Sequence, residues 1–173
     1  MKKYHIGIDL DNTIICYDDV FYLAFKQITK KNTASVEKNK LSVRSYLRQQ
    51  PNGEKKWQAV QRLVYEQLIH QANAFSGALN FINTAHNQQK SCCIISHKDR
   101  AILRKVALVW LKNNGFLHYI NPQDIYFANN RTEKIQLIKT AECQHFIDDL
   151  PEVLFDKQFP QTTQPHHFSP QQP

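Results

Sequence analysis

The sequence predicts an α/β protein: a doubly wound parallel sheet with a small helical cap inserted after the first strand. Short apolar runs of strand length recur over residues 4–8, 91–95, 124–128 and 145–148. Stretches with apolar spacings near 3.6 separate them, and that alternation is the pattern of parallel strands joined by helices. The first and last of these runs both end in paired carboxylates, Asp9 with Asp11 and Asp148 with Asp149. Residues 1–15 and 76–160 therefore read as the α/β core, 16–75 as the helical insertion and 161–173 as a Pro/Gln-rich tail.

Each element has its own signal. Tyr4, His5, Ile6, Gly7 and Ile8 make a short buried strand with Asp9 at its carboxyl end. Asp18 or Asp19 then caps a helix through Val20, Phe21, Leu23, Ala24 and Ile28. Residues 29–53 are polar and basic and close in the turn Pro51-Asn52-Gly53. A long amphipathic helix follows, with Trp57, Val60, Leu63, Val64, Leu68 and Ile69 on one face. Ser76-Gly77 opens the next helix, whose apolar positions are Leu79, Phe81, Ile82 and Ala85.

The strand over 91–95 stops at Ser96, and Asp99 caps a helix carrying Ile102, Leu103, Val106, Val109, Trp110 and Leu111. Asn114-Gly115 is its left-handed stop. After the strand at 124–128, Thr132 precedes a helix with Ile135, Leu137 and Ile138, which leads into the strand ending at Asp148. In the tail, 166–168 adds a short edge strand and the last few residues fray. The neighbours His166 and His167 read as incidental rather than as metal ligands.

The 173 residues, 42% apolar and 11% aromatic, suit one domain with a sizeable core and a small inserted subdomain. No run approaches a membrane span, and Met1-Lys2-Lys3 enters a strand without an apolar signal region, so a cytoplasmic protein is expected. Cys16, Cys92, Cys93 and Cys143 lack metal-type spacing and read as reduced, buried thiols. The net charge of +7 is uneven: between residues 20 and 75, Lys26, Lys30, Lys31, Lys38, Lys40, Arg44, Arg48, Lys55, Lys56 and Arg62 face only Glu37, Glu54 and Glu66. Such a field draws in anionic substrates, or is simply a solvated lysine-rich surface.

The acidic pairs carry the chemistry. In open parallel sheets, ligands bind at the carboxyl ends of the strands. There one carboxylate of the first pair can attack while the other gives and takes a proton. Two strands finishing in adjacent acids concentrate negative charge that either a cation offsets or protonation of some of the acids relieves, and oxygen ligands without His or Cys favour Mg²⁺. Read singly, strand-end aspartates serve equally as helix caps and turn formers.

Taken in order, the strand ends resemble the motifs of the haloacid dehalogenase (HAD) superfamily, phosphatase type. Asp9-Leu10-Asp11-Asn12-Thr13 resembles the Asp-x-Asp-x-Thr motif, Ile94-Ile95-Ser96 the hydroxyl motif, Lys134 the lysine motif and Phe146-Ile147-Asp148-Asp149 the acidic pair. The likeness spans about residues 4–155, and it is nearest to a poorly characterised bacterial branch of HAD-like hydrolases loosely associated with polysaccharide and sugar metabolism. The resemblance implies a Rossmann-like core, with Asp9 as nucleophile forming an aspartyl phosphate and Asp11 as acid and then base. Mg²⁺ would be held by Asp9, Asp148, Asp149 and the backbone carbonyl of Asp11. Ser96, Lys134 and the backbone N–H groups of Asn12 and Thr13 would cradle the phosphate. Lys98, Arg131 and Lys139 compete with Lys134 for that role. His97, Lys98 and Arg100 are either substrate contacts or surface residues at a helix start. Presence of Asp11 disfavours dehalogenation.

The expected activity is Mg²⁺-dependent hydrolysis of a small phosphomonoester, such as a sugar phosphate, with a small phosphorylated metabolite as partner. A nucleotidase or polynucleotide end-phosphatase is the alternative suggested by the basic insertion. Nucleic acid is disfavoured because only Tyr46 and Trp57 interleave those charges. A catalytically idle HAD-like binding domain is the third reading. Neither the substrate, the acceptor that separates a phosphatase from a phosphomutase, nor the oligomeric state is legible in the sequence.

Overall fold

The computed structural model describes residues 3–30 and 36–170. Met1, Lys2, Lys31 and the final residues 171–173, on which some of the readings above fall, lie outside the described residues. In chain order the elements are β1 (Ile6–Ile8), β2 (Ile15–Cys16), α1 (Asp18–Thr29), α2 (Lys40–Arg48), α3 (Gly53–Arg62), β3 (Asn73–Ala74) and α4 (Ala78–Asn87). They continue with β4 (Cys92–His97), α5 (Ala101–Asn113), β5 (Ile125–Ala128), α6 (Arg131–Thr140), β6 (His145–Asp148), α7 (Pro151–Leu154) and β7 (Gln164–His167). The chain packs as two compact units, Met1–Ile15 with Ala74–Pro173, and Cys16–Asn73.

In the first unit the described strands form one five-stranded sheet in the order β5-β4-β1-β6-β7. Every pairing is parallel. The α/β class and parallel sheet are those read from the alternation of apolar runs. The central strand β1 is aligned with both neighbours, Ile8 standing beside Ile94 of β4 and Ile147 of β6. Gly7 sits between Cys93 and Phe146, and a Cβ there would lie 2.6 Å from the Phe146 ring and 2.7 Å from Cys143 Sγ. Glycine lets that ring lie over the strand, and Cys93, Ile95, Phe146, Ile135 and Ile138 close one core beneath it. All four cysteines are free thiols.

Several element readings need correction. The edge strand expected at 166–168 forms as β7, beginning at Gln164 beside β6 and tied by Gln164 N–H to Gln144 O (2.8 Å) and Phe168 N–H to Asp148 O (2.8 Å). Pro165 is tolerated because one side of an edge strand needs no donor. Thr132 does not precede α6 but lies in its first turn; the helix begins at Arg131 and its cap is Asn130, whose Oδ1 accepts from Glu133 N–H (2.9 Å). Asp99 makes no cap for α5, whose Ile102 and Val109 face solvent. A further two-stranded sheet pairs β2 with β3.

The second unit is helical. Phe21, Phe25, Val43, Leu47, Trp57, Val60 and Val64 are buried, with Phe21 stacked on Trp57 at 5.4 Å and Phe25 edge-on to Tyr46 at 5.5 Å. Asp18 does not cap α1; its Oδ1 accepts from Lys40 N–H (3.2 Å). The basic stretch after residue 29 contains α2, started by Asn39, whose Oδ1 accepts from Ser42 N–H (2.7 Å). The long amphipathic helix ends as α3 at Arg62 and widens into a π-helical turn over Leu63–Leu68. No described helix is long and apolar enough to cross a membrane.

Candidate active site

Two adjacent parallel strands deliver the acids. Asp9 follows β1, its N–H donating to Ile147 O (2.8 Å), and Asp148 closes β6. In-register pairing of Ile8 with Ile147 puts the two carboxylates at the same level of the sheet's carboxyl edge. Both are buried, and with Asp149 they present oxygens that all lie within 4.8 Å of one another. Asp148 Oδ1 accepts from Leu150 N–H (3.0 Å), which fixes the carboxylate at the turn into α7.

Lys134 lies between them. The Asn130 cap starts α6 so that Lys134 falls in its first turn, with its N–H on Asn130 O (3.0 Å). Its side chain is buried, and its Nζ stands 2.6 Å from Asp9 Oδ1 and 2.7 Å from Asp148 Oδ2. Burial opposes the ammonium charge, but the two carboxylates outweigh it and raise the lysine's pKa. Asp9 is pushed up to about 7: burial drives it most, Lys134 resists, and the charges of Asp148 and Asp11 add to the rise. Of the competing cations, Arg131 pairs instead with Asp156 (3.7 Å) and Lys139 is exposed.

Asp11 lies past the turn that ends the first motif. Asn12 adopts a left-handed conformation (φ 59°), and its N–H donates to Ile15 O (2.9 Å). That N–H, expected as a phosphate donor, is thus committed within the turn. Thr13 is buried with its hydroxyl unpaired, and it lines an apolar cavity of about 300 Å³ with Ile8, Ile14, Phe75, Ile147 and Phe168. The Asp11 carboxylate Oδ2 is in direct contact with Lys98 Nζ.

Ser96 is buried in β4, one residue beyond the level of Asp9 by the pairing of Ile8 with Ile94. His97 is exposed, with Nε2 2.9 Å from Asn129 O, and Arg100 is exposed beside Asp99. Lys98 departs most from the expectation of a surface residue at a helix start, being only 3% exposed. Burial of that lysine has no signal in the sequence, because lysine after a strand defaults to solvent.

The donor set fits a hard divalent cation. It is all oxygen, and Asp148 Oδ2 is buried without a hydrogen bond, its 2.7 Å contact with Lys134 falling outside hydrogen-bond geometry. Acids, a buried lysine and a strand-end serine are gathered at the carboxyl edge of the parallel sheet, where open α/β folds bind ligands.

No protein-family model and no curated protein matches the sequence. Solved structures do match the fold. A hydrolase from Streptococcus pneumoniae TIGR4 superposes with a TM-score of 0.62 at 16% identity, covering 96% of this chain and 94% of that one. A haloacid dehalogenase-like family hydrolase from Streptococcus pneumoniae gives 0.60 at 16% identity, covering 88% and 78%. A HAD family hydrolase from Deinococcus radiodurans R1, with bound phosphate and sodium, gives 0.56 at 12% identity, covering 86% and 73%. The chain has the fold of the haloacid dehalogenase-like hydrolases.

Proposed function

We propose that the protein is a Mg²⁺-dependent phosphatase that hydrolyses a small phosphomonoester through an aspartyl-phosphate intermediate. The observation that carries this reading is the convergence of Asp9, Asp148 and Asp149 at one sheet edge, with the buried Lys134 bridging the first two. Asp9, Asp148, Asp149 and the Asp11 carbonyl would hold the ion. When bound, it would offset charge on the acids and on the phosphoryl oxygens, letting one anion approach another.

The chain's own groups do the rest. Lys134 turns Asp9 Oδ1 and holds it, so that the other oxygen can attack phosphorus in line. As the bond to the leaving oxygen breaks, Asp11 gives it a proton. Asp11 then takes a proton from the water that attacks the aspartyl phosphate, returning phosphate and free Asp9. Ser96 and Lys134 donate to the transferring phosphoryl group. The bound phosphate in the Deinococcus radiodurans structure supports this substrate class by analogy of fold.

A screen of phosphorylated metabolites and a generic aryl phosphate, with Mg²⁺ and with EDTA, tests the reading. Turnover is expected only with the metal and is lost in Asp9→Asn. Turnover retained by Asp9→Asn removes Asp9 as nucleophile. Inertness toward every ester, with Mg²⁺ binding intact, would instead favour a binding domain.

A further inference from the structure

We infer that Lys98 is the positioning residue of Asp11: its buried ammonium holds the Asp11 carboxylate in place for proton exchange with the leaving group and with water. This rests on the phosphatase reading above.

The clamp is built into the fold. A buried ammonium is costly unless a counter-charge meets it. Here the charge is met at Asp11 Oδ2, on a side chain 23% exposed, whereas the Asp9 side chain is 5% exposed. Asp11 is therefore the carboxylate of the first motif with access to solvent and to a leaving group, and the one most in need of an orienting partner.

Lys98 is itself held from both sides. Its N–H donates to Ala128 O (2.8 Å), and its carbonyl accepts from Arg104 Nε (2.8 Å). Arg104 also donates to Asn129 Oδ1 (2.6 Å), and Asn129 donates through N–H (2.9 Å) and Nδ2 (2.7 Å) to Glu133 Oε2. Glu133 neighbours Lys134 in the first turn of α6. One hydrogen-bonded frame thus carries two buried lysines, Lys134 serving Asp9 and Asp148, and Lys98 serving Asp11.

In that reading the proton that Asp11 gives passes to the leaving oxygen as the P–O bond breaks and is replaced from the attacking water.

The test compares p-nitrophenyl phosphate, whose leaving group needs little protonation, with an alkyl phosphomonoester, whose leaving group needs it. Lys98→Met should lower kcat/KM for the alkyl ester by about 10²-fold and for the aryl ester by less than about tenfold, since misplacing a catalytic group costs rates of that order. Asp11→Asn should show the same selectivity, and the double variant should be no slower than Asp11→Asn alone. Equal losses on both esters, or losses that add to those of Asp11→Asn, overturn the inference. If Lys98→Met fails to fold, Lys98→Arg keeps the cation but moves the donor, and a smaller loss with the same selectivity is expected; an unselective loss refutes it. A wild-type protein inert toward both esters defeats the phosphatase reading itself.

Discussion

Replacing Asp9 by asparagine should stabilise the metal-free protein at alkaline pH while abolishing turnover. Asp9 titrates near 7 in the folded chain against an ordinary 3.8. The folded state therefore holds a proton that the unfolded chain releases between about pH 4 and pH 7, and stability falls by about 1.4 kcal/mol per pH unit across that window. Above pH 7 the ionised carboxylate destabilises the fold, because burial and the neighbouring acids outweigh Lys134. Asparagine carries no charge, has nearly the same shape and still accepts from Lys134 Nζ, while Lys134 keeps Asp148. Urea unfolding in EDTA should find Asp9→Asn more stable than wild type by about 2–4 kcal/mol at pH 8, shrinking to about 1–2 kcal/mol at pH 5. Added Mg²⁺ should raise the wild-type curve and narrow the gap, because it binds only the folded state. A variant no more stable than wild type at pH 8 would refute the view that burial and neighbouring acids destabilise this carboxylate.

Other outcomes follow from the same contacts. Lys134→Met leaves two buried carboxylates without their cation and should cost about 3–5 kcal/mol in urea unfolding at pH 8, less at pH 5 where Asp9 takes up a proton. Gly7→Ala drives a methyl to 2.6 Å from the Phe146 ring and 2.7 Å from Cys143 Sγ; a loss of about 1–3 kcal/mol should appear as a lower Tm. Mg²⁺ binding should release protons below pH 7 and strengthen as pH rises toward it, seen by calorimetry in buffers of different ionisation enthalpy.

The sheet was readable because parallel strands buried on both faces leave compact apolar runs, as at Cys92–His97 and His145–Asp148. The strand-end acids stood out for the same reason, as charges closing apolar runs. The edge strand expected at 166–168 begins earlier, at Gln164, because β7 is held by backbone bonds to β6 while its side chains, with a proline among them, are mostly polar and exposed and mark no boundary. α2 escaped notice because only Val43 and Leu47 are buried in it, among basic neighbours. Helix starts shift where several cap-forming residues stand close together; α6 begins before Thr132 because the Asn130 side chain reaches Glu133 N–H. Lys98 was named as a candidate contact, but its burial depends on a partner 87 positions away in sequence, which no local pattern encodes.

Its own order of synthesis constrains when this centre can exist. The strand bearing Asp9 is made first yet lies in the middle of the sheet, between a strand begun at Cys92 and another begun at His145. A nascent chain must keep that apolar strand from mispairing until both flanks arrive, and the last acids emerge only with the second of them. Fragments stopping short of Asp148 should accordingly behave as sticky intermediates without the acidic cluster, which forms only once the whole sheet is complete.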